Sequence, residues 1–287
     1  DPSLDEVVKI IPKYHAIFTN PNKSNVYIGK EIIDSANMLK VICTASTGTN
    51  HIDQNYAKLK GINIISLTEE RDIINKISST AEHAFALMLS SLRNIPQSFD
   101  SVKSQKWDYE PFIGRQLDHL TIGIIGYGRL GNYFCKYAKP FTSNIIAHDP
   151  YKKIDDNNID QVNLEHLLIK SDVISIHVHV TDETIGMIND DCFSKMKSSV
   201  LIVNTSRGDI INENDLVKFL ANNEKAKYAT DVLANEIIDN KIDNKIINFA
   251  KKNNQVIITP HIAGMTVEGQ MLAYNHAAKL LRKYIEK

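Results

Sequence analysis

The chain has 287 residues, 43% hydrophobic and 23% charged, with 33 basic and 34 acidic side chains and a net charge of −1. That length suits two domains rather than one small core. The even charge balance leaves no electrostatic footprint for nucleic acid or an anionic membrane, and no apolar run approaches the roughly 20 residues a membrane helix requires.

In chain order, short apolar runs alternate with amphipathic segments. His15–Phe18, Lys40–Cys43 and Ile62–Ile65 read as strands, and Lys30–Met38 and Ile52–Lys60 as the helices between them. This βαβ alternation predicts a parallel sheet with helices on its faces. Ala81, Phe85, Met88, Leu89 and Leu92 form one apolar stripe along a helix from Ser79 to Asn94. Ile95-Pro96 interrupts that helix and is read as a domain boundary. A second βα series starts at Thr121–Ile125 and continues through Asn144–Ala147, Val173–Val178, Val200–Val203, Tyr228–Thr230 and Val256–Ile258. The polar stretch 235–254 turns helical late on, and Thr266 is placed to cap a last helix. The fold expected is α/β with two domains: residues 1–94 with 268–287, and residues 95–267. The three cysteines, Cys43, Cys135 and Cys192, show no CxxC spacing and read as reduced thiols of a cytoplasmic protein, the first two in the core. No N-terminal stretch reads as a signal peptide.

Gly126, Gly128 and Gly131 stand in GxGxxG spacing directly after a strand pattern and directly before the helical pattern Leu130–Tyr137. The first glycine permits a tight turn, the second a close backbone approach to a pyrophosphate, and the third close helix–strand packing. The helix N-terminus adds a positive dipole and free N–H groups. Asp149 ends the next strand, 18 residues after Gly131, where a carboxylate takes the ribose hydroxyls of NAD and repels the extra phosphate of NADP.

Arg207, Glu236 and His261 each follow a strand pattern, where open α/β sheets bind ligands. A guanidinium grips a carboxylate with two parallel hydrogen bonds, and a histidine moves a proton near neutral pH. A carboxylate at the far ring nitrogen favours the charged imidazole. Taken singly, each residue is as readily a surface group; three such accidents on neighbouring strand ends are harder to accept. His177 and His179 form an HxH on one strand face, but no third ligand has a suggestive spacing, so no metal is expected.

These motifs occur in a familiar order. Ala45-Ser46-Thr47-Gly48-Thr49-Asn50-His51-Ile52-Asp53, Ser79-Thr80-Ala81-Glu82-His83, the Gly126–Gly131 turn, Val203–Ile210, Asp231-Val232 and Pro260-His261-Ile262-Ala263-Gly264 span nearly the whole chain. The 29-residue spacing from Arg207 to Glu236 belongs to the same pattern. Together they resemble the D-isomer-specific 2-hydroxyacid dehydrogenases, the group that includes phosphoglycerate, D-lactate and glycerate dehydrogenases. The resemblance implies a Rossmann-type, doubly wound NAD domain, a smaller flavodoxin-like substrate domain and a homodimer. It implies that Arg207 holds the substrate carboxylate, that His261 is the acid/base and that Glu236 orients it. Ser46, Thr47 and Gly48 would bind the substrate carboxylate through backbone N–H groups. The cofactor contacts implied are Thr47, Gly126, Gly128, Arg129, Leu130, Gly131, Asp149, Val178, Thr205, Ser206, Arg207, Asp231, His261 and Gly264, with Asp231 on the carboxamide.

The expected activity is NAD-dependent interconversion of a small D-2-hydroxy acid and its 2-oxo acid. The alternative is an NAD(H)-sensing, corepressor-like binding protein of the same fold. Formate chemistry fits less well, because formate enzymes replace the carboxylate partner of the histidine. The family usually opens with a strand, so a segment before Asp1 is expected. The chain departs from the phosphoglycerate enzymes at Thr44, where they tend to carry an arginine, and at Asn20, with Lys23 near.

Overall fold

A computed structural model of the chain describes residues 2–21, 24, 26–234, 236 and 244–286. Lys23 therefore lies outside the described residues. The chain divides into two compact units, Asp1–Ile77 with Gly264–Lys287, and Ser78–Ala263.

In the first unit, β1 (Ala16–Thr19), β2 (Val41–Thr44) and β3 (Asn63–Ile65) form a parallel sheet in that order. Side chains alternate across a strand. Ile42 of β2 joins a core with Ile28, Ile32, Ile33 and Ile62, while its neighbour Cys43 faces Leu67, Ile74, Ala273 and Ala277. Burying both faces explains why β2 reads as an unbroken apolar run. Helices Lys30–Ser35 and Gln54–Leu59 are shorter than their periodicity suggests, and Asp53 caps the second by accepting the Tyr56 N–H. Thr266 caps the last helix, Val267–Ile285, by accepting from Gly269 N–H.

The second unit holds β4 (Ile122–Ile125), β5 (Ile145–His148), β6 (Asp160–Gln161), β7 (Val173–Ile176), β8 (Leu201–Asn204), β9 (Lys227–Thr230) and β10 (Val256–Ile258). Among the described residues these make one parallel sheet in the order β10-β9-β8-β7-β4-β5-β6. From β4 the chain builds outward first through β5 and β6, then on the other side through β7 to β10. This doubly wound order places a binding crevice beyond the carboxyl ends of the strands. The strands β4, β7 and β8 are buried throughout, with separate apolar clusters on the two sheet faces.

The boundary differs from the expected one. Helix Ser79–Leu92 belongs to the second unit, where Ala81, Ala84, Leu87, Met88 and Leu92 pack with Leu201, Val203, Ala229 and the helix Arg129–Ala138. A helical stripe shows that a face is buried; it does not show which sheet buries it. That same packing accounts for the stripe without a second chain. The preceding helix ends at Leu92, Asn94 turns a corner with a left-handed φ of 53°, and Ile95-Pro96 opens a new helix, Ile95–Lys103, rather than a new unit. At the other end the change of unit falls at Ala263/Gly264, before the cap at Thr266 rather than after it.

Candidate active site

Every strand of the second unit from β4 to β10 except the short edge strand β6 is followed by a residue expected at the site. The glycine-rich turn follows β4, Asp149 follows β5 and Val178 follows β7. Thr205, Ser206 and Arg207 follow β8, Asp231 follows β9 and His261 follows β10. Parallel pairing in register brings these ends together on one edge of the sheet.

The three glycines do different work. Gly126 has φ 87°, the left-handed turn that reverses the chain after β4. A Cβ on Gly131 would lie 2.1 Å from the Gly126 carbonyl oxygen, so the helix can start this close to the strand only with glycine there. A Cβ on Gly128 would meet nothing within 4 Å; this glycine leaves an open approach to the helix N-terminus. Gly128 is the N-cap of helix Arg129–Ala138 and no side chain caps it, so the first-turn N–H groups suit a phosphate. Asp149 Oδ2 accepts the Tyr127 N–H at 2.9 Å, which ties the acid to the turn, and Oδ1 accepts from Tyr151 and Lys152 N–H at 3.0 and 3.1 Å. The Thr205 hydroxyl is buried without a hydrogen-bond partner among the described residues, a polar group suited to a ligand. These features fit a dinucleotide.

The trio converges. His261 Nδ1 pairs with Glu236 Oε1, and Glu236 Oε2 also accepts the Leu233 N–H at 3.3 Å. Burial by itself would raise the Glu236 carboxyl, but the hydrogen bond and charge of His261, the Leu233 N–H and the Arg207 charge together hold it below its ordinary value. Glu236 is therefore an anion beside the ring. Glu236 thus holds the ring through Nδ1. Burial lowers the Arg207 guanidinium from its ordinary value, while Glu236 and Asp209 pull it back up. It stays charged, because an arginine begins far above neutrality. One of its five N–H donors goes to Ser206 O at 2.6 Å.

His261 has a left-handed φ of 54°, an uncommon conformation for a residue with a side chain. Its N–H donates to Asp231 O at 2.9 Å, and the Asp231 carboxylate accepts from Ile262 and Ala263 N–H at 2.9 and 2.7 Å. Sequence reading gave Asp231 only a cofactor role; its anchoring of this turn depends on contacts across about thirty residues and left no local signal. Glu213 was missed for the same reason. It accepts from Ala234 N–H and Asn244 Nδ2, both at 2.9 Å, and burial raises its carboxyl.

The HxH pair does not lie on a strand, since β7 ends at Ile176. His177 Nε2 bonds the Ser175 hydroxyl at 2.9 Å, and burial pushes this ring down to about 3, so it stays neutral; His179 is exposed. Among the described residues no group of three His, Cys, Asp or Glu is placed to hold a metal. Cys43 and Cys135 are buried as expected, whereas Cys192 is only half-buried.

Ser46, Thr47 and Gly48 lie in the loop after β2 of the first unit, and Gly264 opens that unit's second segment. Ser46 Oγ donates to Gly48 O at 2.6 Å, closing the loop on itself. Thr44 is fully buried and bonds the Ser46 hydroxyl and His51 Nε2 at 2.8 and 3.1 Å, while Asn20 Nδ2 donates to Ala45 O at 3.2 Å.

Residues 85–263 match the D-isomer specific 2-hydroxyacid dehydrogenase, NAD binding domain. The chain belongs to this family and carries its NAD-binding domain. Over 272 residues, 94% of the chain, it is 38% identical to the D-3-phosphoglycerate dehydrogenase of Archaeoglobus fulgidus, of which it covers 49%. Over 266 residues, 93% of the chain, it is 34% identical to the hydroxypyruvate reductase of Thermotoga maritima, of which it covers 83%. The D-lactate dehydrogenase from Aquifex aeolicus, solved with NAD and lactic acid, matches with a TM-score of 0.84 at 29% identity, over 97% of this chain and 85% of that one. The chain thus spans about half the length of the curated phosphoglycerate dehydrogenases it matches and most of the shorter reductase.

Proposed function

We propose that the protein is an NAD-dependent oxidoreductase that interconverts a small D-2-hydroxy acid and its 2-oxo acid. The observation that carries this reading is the Glu236–His261 pair at the strand ends beside a charged Arg207, in the unit that carries the glycine-rich turn.

The chain's residues divide the work. Arg207 holds the substrate carboxylate by its fork, which fixes the face of C2 turned to the cofactor. Ser46, Thr47 and Gly48 are proposed as further carboxylate contacts, through their N–H groups. In the reducing direction His261 Nε2 gives its proton to the oxo oxygen, and in the oxidising direction it takes the hydroxyl proton. Glu236 stabilises the imidazolium that donates. The bound nicotinamide supplies or accepts the hydride at C2. The first-turn N–H groups at Arg129, Leu130 and Gly131 would hold the pyrophosphate, Asp149 the adenosine ribose, and Val178, Thr205, Ser206 and Gly264 the rest of the cofactor. Asp231 has an oxygen, Oδ2, that takes only the Ala263 N–H in the described molecule and so retains acceptor capacity for a carboxamide.

Purified protein assayed with NADH against a panel of 2-oxo acids tests this. Turnover of at least one of them is the expected outcome. Tight NADH binding with no turnover on any would instead support the sensing, corepressor-like reading.

A homodimer and a cytoplasmic location also belong to this proposal. Six apolar side chains in the segment 95–113, Ile95, Phe99, Val102, Trp107, Tyr109 and Ile113, are exposed, with Trp107 91% exposed. An exposed series of this kind marks an association surface, and a second copy is the partner proposed. Sedimentation is expected to give twice the 32.3 kDa chain mass, falling to one chain in Phe99→Asp/Trp107→Asp; a wild-type monomer would contradict it. Free thiols fit a reducing compartment, and among the described residues no helix is long and apolar enough to cross a membrane.

A further inference from the structure

The segment Ser79–His83 has no part in the chemistry proposed above, yet His83 reaches the turn that carries His261. His83 lies on helix Ser79–Leu92, and its Nε2 is 2.9 Å from the Thr259 hydroxyl and 3.5 Å from Asp231 Oδ1. The Thr259 hydroxyl is in turn 2.5 Å from Asp231 Oδ1. A carboxylate only accepts, so Thr259 gives its single proton to Asp231. The hydroxyl oxygen is then an acceptor, and His83 Nε2 must carry the proton that it receives. The direction of this chain is set: His83 donates to Thr259, and Thr259 donates to Asp231.

Asp231 needs those donors. Its side chain is 0% exposed, and a buried carboxylate without hydrogen bonds is strongly unfavourable. It receives the Thr259 hydroxyl on one side and the Ile262 and Ala263 N–H groups on the other. These donors bracket His261, whose left-handed φ an L-residue does not choose unaided. The carboxylate gathers both sides of the turn, and His83 is the outermost support of that arrangement.

We propose that His83 is a positioning residue: through Thr259 and Asp231 it holds the turn 259–263 in the conformation that presents His261. The inference rests on the dehydrogenase reading for its kinetic consequence, but the geometry of the turn can be read without turnover. His83→Leu keeps bulk and removes the donor; His83→Gln restores an N–H close to the imidazole Nε2 position.

In His83→Leu, kcat is expected to fall about tenfold or more, since one hydrogen-bonded support of the turn that presents His261 is lost. The KM for NADH should change less than kcat, because the glycine-rich turn that would hold the pyrophosphate is untouched and only the Asp231 end of the cofactor site is loosened. His83→Gln should recover kcat to within about threefold of wild type. By NMR hydrogen exchange, the Ile262 and Ala263 amides should exchange about tenfold faster in His83→Leu, with the amides of residues 84–92 unchanged. Wild-type kcat and exchange in His83→Leu would overturn the proposal. So would equal loss of kcat in both variants, or faster exchange spread along the helix, which would mean general loosening. If the wild-type protein turns over no 2-oxo acid, the dehydrogenase reading fails by itself, and exchange at Ile262 and Ala263 still decides the role of His83.

Discussion

Arg207→Lys is expected to lower kcat/KM for 2-oxo acids by roughly a hundredfold to a thousandfold, about 3–4 kcal/mol of lost transition-state binding. Charge is kept, so any loss belongs to geometry. The guanidinium presents parallel N–H groups to a carboxylate in one plane, whereas an ammonium is a point charge that lets the substrate rotate. Because Arg207 is half-buried and already bonded to the Ser206 carbonyl, its orientation is preset. Lysine lacks that second anchor. Both kcat and KM should suffer, because the carboxylate grip serves the ground state as well as the transition state. Steady-state kinetics with a 2-oxo acid at fixed NADH measure this, and an unchanged kcat/KM would remove Arg207 from the mechanism.

His261→Gln has the second large effect. The amide fills the space of the ring and can donate a hydrogen bond, but it cannot transfer a proton, so kcat should fall about 10²- to 10⁴-fold. The pH dependence is as informative as the size. With His261 as the acid/base, reduction uses the protonated ring and oxidation the neutral one, so the two directions should depend on pH in opposite senses. In the variant both limbs should flatten. Glu236 lies beside the ring as an anion, held below the ordinary carboxyl range, so it is not the group expected to titrate in either limb near neutrality. Pre-steady-state rates across pH would check this; a variant that keeps the wild-type pH profile and rate would assign acid/base work elsewhere.

Much of this site can be read from the chain because its determinants are local. A parallel strand buried on both faces reads as a near-continuous apolar run, so the stretches Ile122–Ile125 and Leu201–Val203 announce themselves, and the carboxyl ends of such strands are where open α/β sheets bind ligands. The glycines at 126, 128 and 131 report a backbone shape directly, and Thr266 reports a helix start by the hydrogen bond its side chain makes. What escaped is what depends on distant partners. The stripe on Ser79–Leu92 is visible, but nothing within it says that Leu201, Val203 and Ala229 cover it. Asn94 shows no sign in advance that it will turn a corner with a left-handed φ. Ser3 and Glu6 form a complete capping box at the head of helix Leu4–Ile10, a start signal that is local and legible in the chain. Asp231 reads as a strand-end acid; only folding brings Thr259, Ile262 and Ala263 onto its carboxylate. The substrate's side group is the least legible part. Thr44, where the chain departs from the phosphoglycerate enzymes, carries a buried hydroxyl bonded to Ser46 and His51.

The most direct test is the handedness of the product. Wild-type protein supplied with NADH and a prochiral 2-oxo acid should oxidise NADH and accumulate the D-2-hydroxy acid in equal amount, with no L-isomer, as resolved by chiral chromatography. NADH left unoxidised with every 2-oxo acid, or an L- or racemic product, would contradict the account.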